Sequence, residues 1–484
     1  MIEPSKGTTR YMQNRGGIVF SLVLLLTAGA IATIGLLSFK KLTNADPLSL
    51  LFFEQEAPVL SWRNVPKGLG AEAVQFELEA SDAKAGLDQV LVRAIQGNQA
   101  QILYKKDFST ANLRHHKALI ALSAKDAKLK EGTVEIQAVA FDKALWNNGG
   151  KATQKLEVNF HKPHISVVTP QQNGTHGGAE IVFYKITGRE PESHGIRSEG
   201  AFYQGFPAGA WGPAFSSRPS IHLALYPIPQ SLNPKSTKML IQARDSLGNT
   251  VTSKFPHRTR RRRWGSQRSR VTILEAQAIV RNLRQYAEQN AIHTSSAPST
   301  VADLKQLVSR LSSNDDNLLS SLLANPIAER LWSEYFLIPV RVSPSNQTGD
   351  LRLIYLGTDQ ILKIREAGVR FTVSTPSSVV ASNSGKVIYT GQLGLLGNTI
   401  IIDHGLGLTT LYSHLSNFSV TKGRSVTRGD VIGTTGRSGF STANELYYQV
   451  RIHGIPVSPR EWWDKRWISE HIDEKIAFVL RSSP

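Results

Sequence analysis

In the last third of this 484-residue chain, the side chains suited to binding a metal or carrying a proton at neutral pH are His404, His414, His453 and His471. No thiolate can join them, because the chain contains no cysteine. A catalytic zinc site draws three ligands from imidazoles, thiolates and carboxylates and keeps a fourth position open. Imidazoles and carboxylates are therefore the donors left to this chain. The elements that must position them lie between Asn398 and Trp463. An apolar run, Thr399-Ile400-Ile401-Ile402, turns through Asp403-His404-Gly405-Leu406-Gly407 and returns as an extended pattern over 408–415, which predicts two short strands around a glycine turn. Val420, Gly423, Val426, Gly429, Val431, Ile432, Gly433, Gly436 and Gly439 then alternate apolar and glycine positions, a pattern suited to small curved sheets with tight corners.

The phrases GNTIIIDHGLGLTTLYSHLS, VTKGRSVTRGDVIGTTGRSG and ELYYQVRIHGIPVSP resemble the core of the lysostaphin or LytM-type (family-23) zinc metallopeptidases, which cut peptide cross-bridges in bacterial cell walls. With its run-up from Tyr335, the resemblance covers roughly the last third of the chain. Enzymes of this family hold zinc with the His and Asp of an H-x-G-x-D-like phrase and with the second His of a later H-x-H. Their two remaining His positions do the acid-base and transition-state work. In this sequence the first phrase falls on Arg365-Glu366-Ala367-Gly368-Val369-Arg370 and the H-x-H on Glu445-Leu446-Tyr447. The resemblance thus puts Glu366, Arg370 and Tyr447 at metal positions and His414 and Glu445 at catalytic ones. Only His414, in the phrase Tyr-Ser-His-Leu, keeps the residue the family uses.

A guanidinium is a poor occupant of a ligand position, since it stays protonated, offers donors without an acceptor and repels a cation. The resemblance therefore implies a domain degenerate at its metal and catalytic positions, with no metal and no cofactor expected. Two acids, Glu366 and Glu445, arrive with one base, Arg370, so a carboxylate and guanidinium cluster can take the former metal position. Drift, with the side chains simply solvated, is the plainer alternative. His414 also has a plain reading, as a partly buried histidine bonded to backbone. A working zinc enzyme would need ligands from Glu366, Glu445 and His414 while Arg370 swings away.

Length alone predicts three or four domains, and 40% hydrophobic residues exclude a disordered chain. The net charge of +18 fits nucleic acid, anionic lipid or an anionic wall polymer as a partner, and location selects among them. Residues 16–39 carry no charge and are rich in Leu, Val, Ile and Ala, a run long enough to cross a bilayer. Lys6, Arg10 and Arg15 precede it and Lys40 and Lys41 follow, which favours a cytoplasmic N-terminus. Cleavage at Ala28-Gly29-Ala30 is the rival, but the apolar run continues to Leu37. The expected topology is one pass through the inner membrane with the bulk of the chain outside the cytoplasm, where nucleic acid is excluded as a partner.

Beyond the anchor the period is mostly two. Val74, Phe76, Leu78 and Ala80 alternate with polar residues, and further strands are predicted at 90–92, 134–140, 165–168, 181–186, 221–225 and 239–243. The glycine and aromatic stretch from Phe202 to Phe215 is read as a loop over its own core. A solvated linker is expected at the basic tract, Arg258 through Arg270, with attraction to anionic lipid or wall polymer as its functional option. Ile273, Ala276, Ile279, Leu283 and Ala287 fall at helical spacing. So do Leu304, Leu307 and Leu311 after a cap at Ser299 or Thr300, and shorter helices are predicted at 318–323 and 327–335. Strands at 351–355, 369–373, 379–380 and 386–389 open the last domain.

The predicted fold class is therefore mainly β and multidomain. Its order is a cytoplasmic N-terminus (1–15), a transmembrane helix (16–39), two immunoglobulin-like β-sandwich modules (57–160 and 161–257), a basic linker (258–270), a helical block (271–335), a LytM-like β-sheet core (336–465) and a C-terminal helix (466–484). The function this implies is a membrane-anchored envelope protein with a catalytically silent domain that binds peptidoglycan or regulates a cell-wall hydrolase. An active peptidoglycan metalloendopeptidase with a rearranged zinc site and a structural envelope scaffold are the alternatives.

Overall fold

In the computed structural model, which describes residues 56–482 apart from 112, 145, 234–236 and 293–299, the alternation along Val74–Ser81 becomes a strand with Phe76, Leu78 and Ala80 buried. The expected cytoplasmic segment (1–15) and anchor (16–39) lie outside the described residues. Among those described, no helix is long and apolar enough to cross a membrane. The fold is mainly β and divides into two compact units, residues up to 161 with 247–249, and residues 162–246 with 250 onward. In the first unit a three-stranded sheet runs in the order Val59–Arg63, Val74–Ser81, His115–Leu122. It shares one core with a five-stranded sheet in the order Gly68–Leu69, Gly149–Val158, Gly132–Asp142, Leu87–Gln96, Gln99–Asp107. Phe76 and Ile120 from the first sheet join Val92 and Ile136 from the second in that core.

In the second unit, Ala179–Thr187 (AEIVFYKIT) and Ile221–Pro227 (IHLALYP) are nearly unbroken apolar runs, the mark of strands covered on both faces. Val182, Tyr184, Ala224 and Tyr226 share a core with Ile196, Ile241 and Ala243 of a second four-stranded sheet. Ile181, Phe183, Leu223 and Leu225 belong instead to the core of the C-terminal domain. The loop expected to cover its own module does the same: Phe206, Trp211 and Phe215 enter the C-terminal core, where Trp211 meets Trp332 edge-on at 5.4 Å between centroids.

The tract expected as a solvated linker, 258–270, is ordered instead. His257–Arg260 pairs in parallel with Gln172–Thr175, and Ser266–Val271 in parallel with Leu351–Leu356. The cause is an alternation hidden under the charge: His257 bonds the Tyr226 hydroxyl through Nδ1 (3.0 Å) and Thr259 through Nε2 (2.8 Å), while Arg258 and Arg260 face solvent. Leu351–Leu356, expected at the start of the last domain, forms a three-stranded sheet with Ser266–Val271 and Asp359–Arg365. Two helices, α1 (Ile273–Gln289) and α2 (Thr300–Leu322), share a core with this sheet. α1 opens on a capping box, with Thr272 Oγ1 accepting the Glu275 N–H at 3.2 Å and Glu275 Oε2 accepting the Thr272 N–H at 2.7 Å. The short helix expected at 318–323 is the end of α2. Residues 327–335, also expected as a helix, are not helical, because the backbone bonds outward: the Leu331 N–H donates to His404 O (2.8 Å), and Ile327 O accepts the Leu406 N–H (2.8 Å).

The last domain carries a sheet in the order Val369–Thr372, Glu445–Ile452, Leu408–Ser413, Gly397–Gly405, Gly385–Leu393, Ser425–Val426, with Ile455–Val457 also paired to Glu445–Ile452. A small sheet of Ser378–Val380, Val431–Thr435 and Leu415–Phe418 stands beside it. The turn between Gly397–Gly405 and Leu408–Ser413 depends on Gly405, whose φ is 89° and whose missing Cβ leaves room for the Glu329 carbonyl. After a short α3 (Pro459–Trp463) the expected C-terminal helix forms, α4 (Lys465–Ile468) continuing through a π-helical turn (Ser469–Asp473) into α5 (Glu474–Arg481), with Asp464 capping α4 through the Arg466 N–H at 2.8 Å.

Candidate functional site

Antiparallel pairing puts Arg370 opposite Tyr447, and Tyr447 opposite Ser413, so three adjacent strands carry the site side by side. Glu445 shares the face of Tyr447 because the two are separated by one residue on the same strand. Glu366 comes from the turn between Asp359–Arg365 and Val369–Thr372. His414 follows Leu408–Ser413 with a left-handed backbone (φ 64°), its N–H donating to Leu396 O at 2.9 Å. That conformation is uncommon outside glycine and fixes where the imidazole points.

The structure brings together all five residues singled out in the sequence. Arg370 Nε donates to Glu366 Oε1 at 3.2 Å and its Nη1 to Glu445 Oε1 at 2.8 Å. The same Nη1 lies 3.4 Å from His414 Nε2, and the guanidinium sits 4.6 Å from the centroid of the Tyr447 ring. Glu366 and His414 are 2% exposed and Glu445 5%, so this cluster is inside the protein rather than solvated. His414 Nδ1 is 2.9 Å from Ser438 O, which can only accept, so Nδ1 carries the proton and Nε2 presents its lone pair to Arg370.

Burial pushes the His414 imidazole down to about 4, and Arg370 acts in the same sense, so the ring is neutral at neutral pH. Burial works to raise the Glu445 carboxyl, but Arg370, His414 and the Ser441 hydroxyl together hold it below the usual carboxylate range. Ser441 Oγ donates to Glu445 Oε1 at 2.8 Å. The Tyr447 phenol is raised well out of reach of neutral pH by burial and by the Glu366 carboxylate that it bonds. Glu366, Glu445 and His414, the residues of the set that could take a metal, therefore each already face a donor.

The other imidazoles lie elsewhere. His404 is spent in the core, with Nδ1 2.7 Å from Ser384 O and Nε2 2.7 Å from Thr410 Oγ1, and burial lowers it to about 4. His453 stacks on Phe206 at 6.3 Å, and His471 bonds Glu180. Sequence reasoning missed Arg352, which is 9% exposed on Leu351–Leu356 and feels Arg370, Glu366 and Glu445. With it the cluster balances, two guanidiniums against two carboxylates. Arg352 Nη1 finds no hydrogen-bond partner among the described residues. Asn346 was missed too; its Oδ1 accepts the Arg370 N–H at 2.7 Å. Both come from the segment between the helical block and the sheet, where no motif marks them.

A family model, peptidase family M23, matches residues 365–459. This stretch is an M23 peptidase domain. Over 92 residues the chain is 41% identical to DD-carboxypeptidase/endopeptidase Mpg of Neisseria meningitidis, a match covering 19% of this chain and 21% of the relative. It is 36% identical over 91 residues to peptidoglycan DD-endopeptidase ShyA of Vibrio cholerae, covering 19% and 21%. Stage II sporulation protein Q of Bacillus subtilis is 34% identical over 89 residues, covering 18% of this chain and 31% of that protein. The chain thus spans about a fifth of the length of the first of these relatives.

The zinc that the M23 family implies does not suit this donor set. Arg370 stands between the two carboxylates where a cation would sit, and it brings a fixed positive charge of its own. Among the described residues, no group of three or more His, Cys, Asp or Glu converges as a metal-binding set.

Proposed function

We propose that this chain is a membrane-anchored protein of the bacterial cell envelope whose M23 domain performs no peptidase chemistry and acts as a binding or regulatory module toward peptidoglycan or a wall hydrolase. The observation that carries this reading is Arg370, at one of the family's metal positions, donating to Glu366 at another and to Glu445 at a catalytic one. A peptide groove does not need the metal to bind, since its walls supply affinity while the metal supplies the chemistry. Arg352 Nη1, buried and without a hydrogen-bond partner among the described residues, is a donor available to a bound carboxylate or carbonyl. The anchor at 16–39 puts the domain outside the inner membrane, and the two β modules serve as immunoglobulin-like spacers.

The 41% identity with a relative named as an endopeptidase favours a second reading, a zinc enzyme in which Glu366, Glu445 and His414 bind metal after Arg370 withdraws. Purified sacculi test the first reading. The chain is expected to co-sediment with them and to release no fragments. Absence from the pellet would leave the domain without the ligand this reading gives it.

A further inference from the structure

The largest concentration of charge in the second unit lies outside the M23 site, in the run from Arg258 to Arg263. A cleft of about 1490 Å³ opens between this run and α3 to α5. The acids lining it are mostly committed to the protein. Glu470 pairs with Arg466 at 2.6 Å, Asp464 caps α4, and Glu461 accepts the Ala179 N–H at 2.9 Å. His471 and Lys475, at the same wall, are held by Glu180. Glu474, in the first turn of α5, is the remaining acid. Against it stand Arg258, Arg260, Arg261 and Arg263, all exposed and none ion-paired to an acid among the described residues.

The run is also held in place. Its first residues are a strand paired to Gln172–Thr175, and Arg262 ties the far end down, lying 5.4 Å from the centroid of Trp264 with Nη1 3.3 Å from Ser458 Oγ. Arg258 and Arg260, on one side of the strand, therefore stand about 7 Å apart along it, and Arg261 and Arg263 continue the run beyond its end. Such forks take the oxygens of phosphate in pairs, and their spacing suits a chain that carries anions at intervals. The cleft is concave, and none of the large exposed apolar side chains lies in it, which disfavours a bilayer. Trp467 adds an aromatic face, stacked on His471 at 5.0 Å, on which a polyol or sugar can rest.

We propose that this cleft binds a linear phosphate-bearing polymer, with polyol or sugar units joined by phosphodiesters, laid along the arginine strand. The probe is labelled poly(glycerol phosphate), titrated into the full-length chain held in neutral nanodiscs. The triple variant Arg258→Gln, Arg261→Gln, Arg263→Gln is compared with a charge-matched control, Arg268→Gln, Arg270→Gln, Arg341→Gln, outside the cleft. The cleft variant is expected to lose about tenfold or more in affinity and to flatten the salt dependence by about two to three in slope, while the control changes little. Arg261→Gln alone, an exposed change, carries the test if the triple variant folds poorly. Equal losses in both triples would reduce the effect to net charge and overturn the site. Equal binding of poly(glutamate) would overturn phosphate as the recognised group. Tighter capture by vesicles of phosphatidylglycerol in phosphatidylcholine than by the polymer would replace the polymer with a membrane. None of these results depends on whether the M23 domain holds zinc.

Discussion

Two arginine-bearing regions of the second unit obey opposite rules. Arg370 is ion-paired to both Glu366 and Glu445, Arg352 nearby brings the charges of the cluster to two against two, and the cluster is buried. Along the run from Arg258 to Arg263, the side chains of Arg258, Arg260, Arg261 and Arg263 are exposed and are not ion-paired among the described residues. The difference follows from desolvation: a charge taken out of water is tolerated only when paired and hydrogen-bonded, whereas an exposed charge keeps its hydration and needs no partner. Arginine therefore completes the interior in one place and offers itself to a ligand in the other.

If that contrast is right, Arg370→Ala is the most damaging of the changes considered. It leaves Glu366 and Glu445 buried and unpaired, which costs about 3 to 5 kcal/mol in a denaturant melt followed by tryptophan fluorescence. Pairing it with Glu445→Gln in a double-mutant cycle should return a coupling on the order of 1 to 3 kcal/mol. A cost below about 1 kcal/mol with no coupling would place the cluster among exposed ion pairs and erase the contrast.

Acid should expose the same difference. An unfolded histidine takes its proton near pH 6.5, whereas buried His414 waits until about 4, so within that window the unfolded chain binds more protons and stability falls as pH drops. Glu445 acts in the same direction: its folded value is depressed, so its contribution is present above the ordinary carboxylate range and is lost as pH falls through the folded value. His414→Asn, which tolerates the left-handed backbone, should flatten the loss of stability between pH 6.5 and 4. An unchanged slope would mean that His414 is not the group being titrated.

Glu461, on the wall of the basic cleft, shows the reverse sign. Burial raises its carboxyl to about 8, so the folded chain holds a proton there that the unfolded chain gives up, and stability is lost as pH rises from about 4.5 to 8. Glu461→Gln should match the parent at pH 5 and exceed it at pH 9 by on the order of 1 kcal/mol, measured by thermal melts. Identical curves at pH 9 would remove this residue from the account. The smallest effect is expected from Arg258→Gln with Arg261→Gln, within about 0.5 kcal/mol of the parent, since these exposed side chains form no ion pair among the described residues. A larger loss would show that the run is structural.

The sequence made the last domain legible because its cues are local. Apolar runs flank glycines such as Gly405, and the resemblance to the family-23 motifs located Glu366, Arg370, His414, Glu445 and Tyr447. Arg352 and Asn346 were invisible, since only tertiary packing brings Leu351–Leu356 and the following turns to the site. The strands under the basic tract were hidden by their own charge, which masked the alternation of His257 and Thr259. The runs at Ala179–Thr187 and Ile221–Pro227 were legible as strands, but not that a second core covers their other face. At 327–335 the expected helix lost to backbone bonds with His404 and Leu406, partners remote in sequence.

The central claim is that an ion cluster, not zinc, occupies the metal position of the M23 domain. The measurement that tests it most directly is metal content of the purified full-length chain after dialysis at neutral pH, read together with peptidoglycan cleavage with and without chelator. The account expects no stoichiometric zinc and no fragment release under either condition. One zinc per chain, with release that a chelator abolishes, would contradict it.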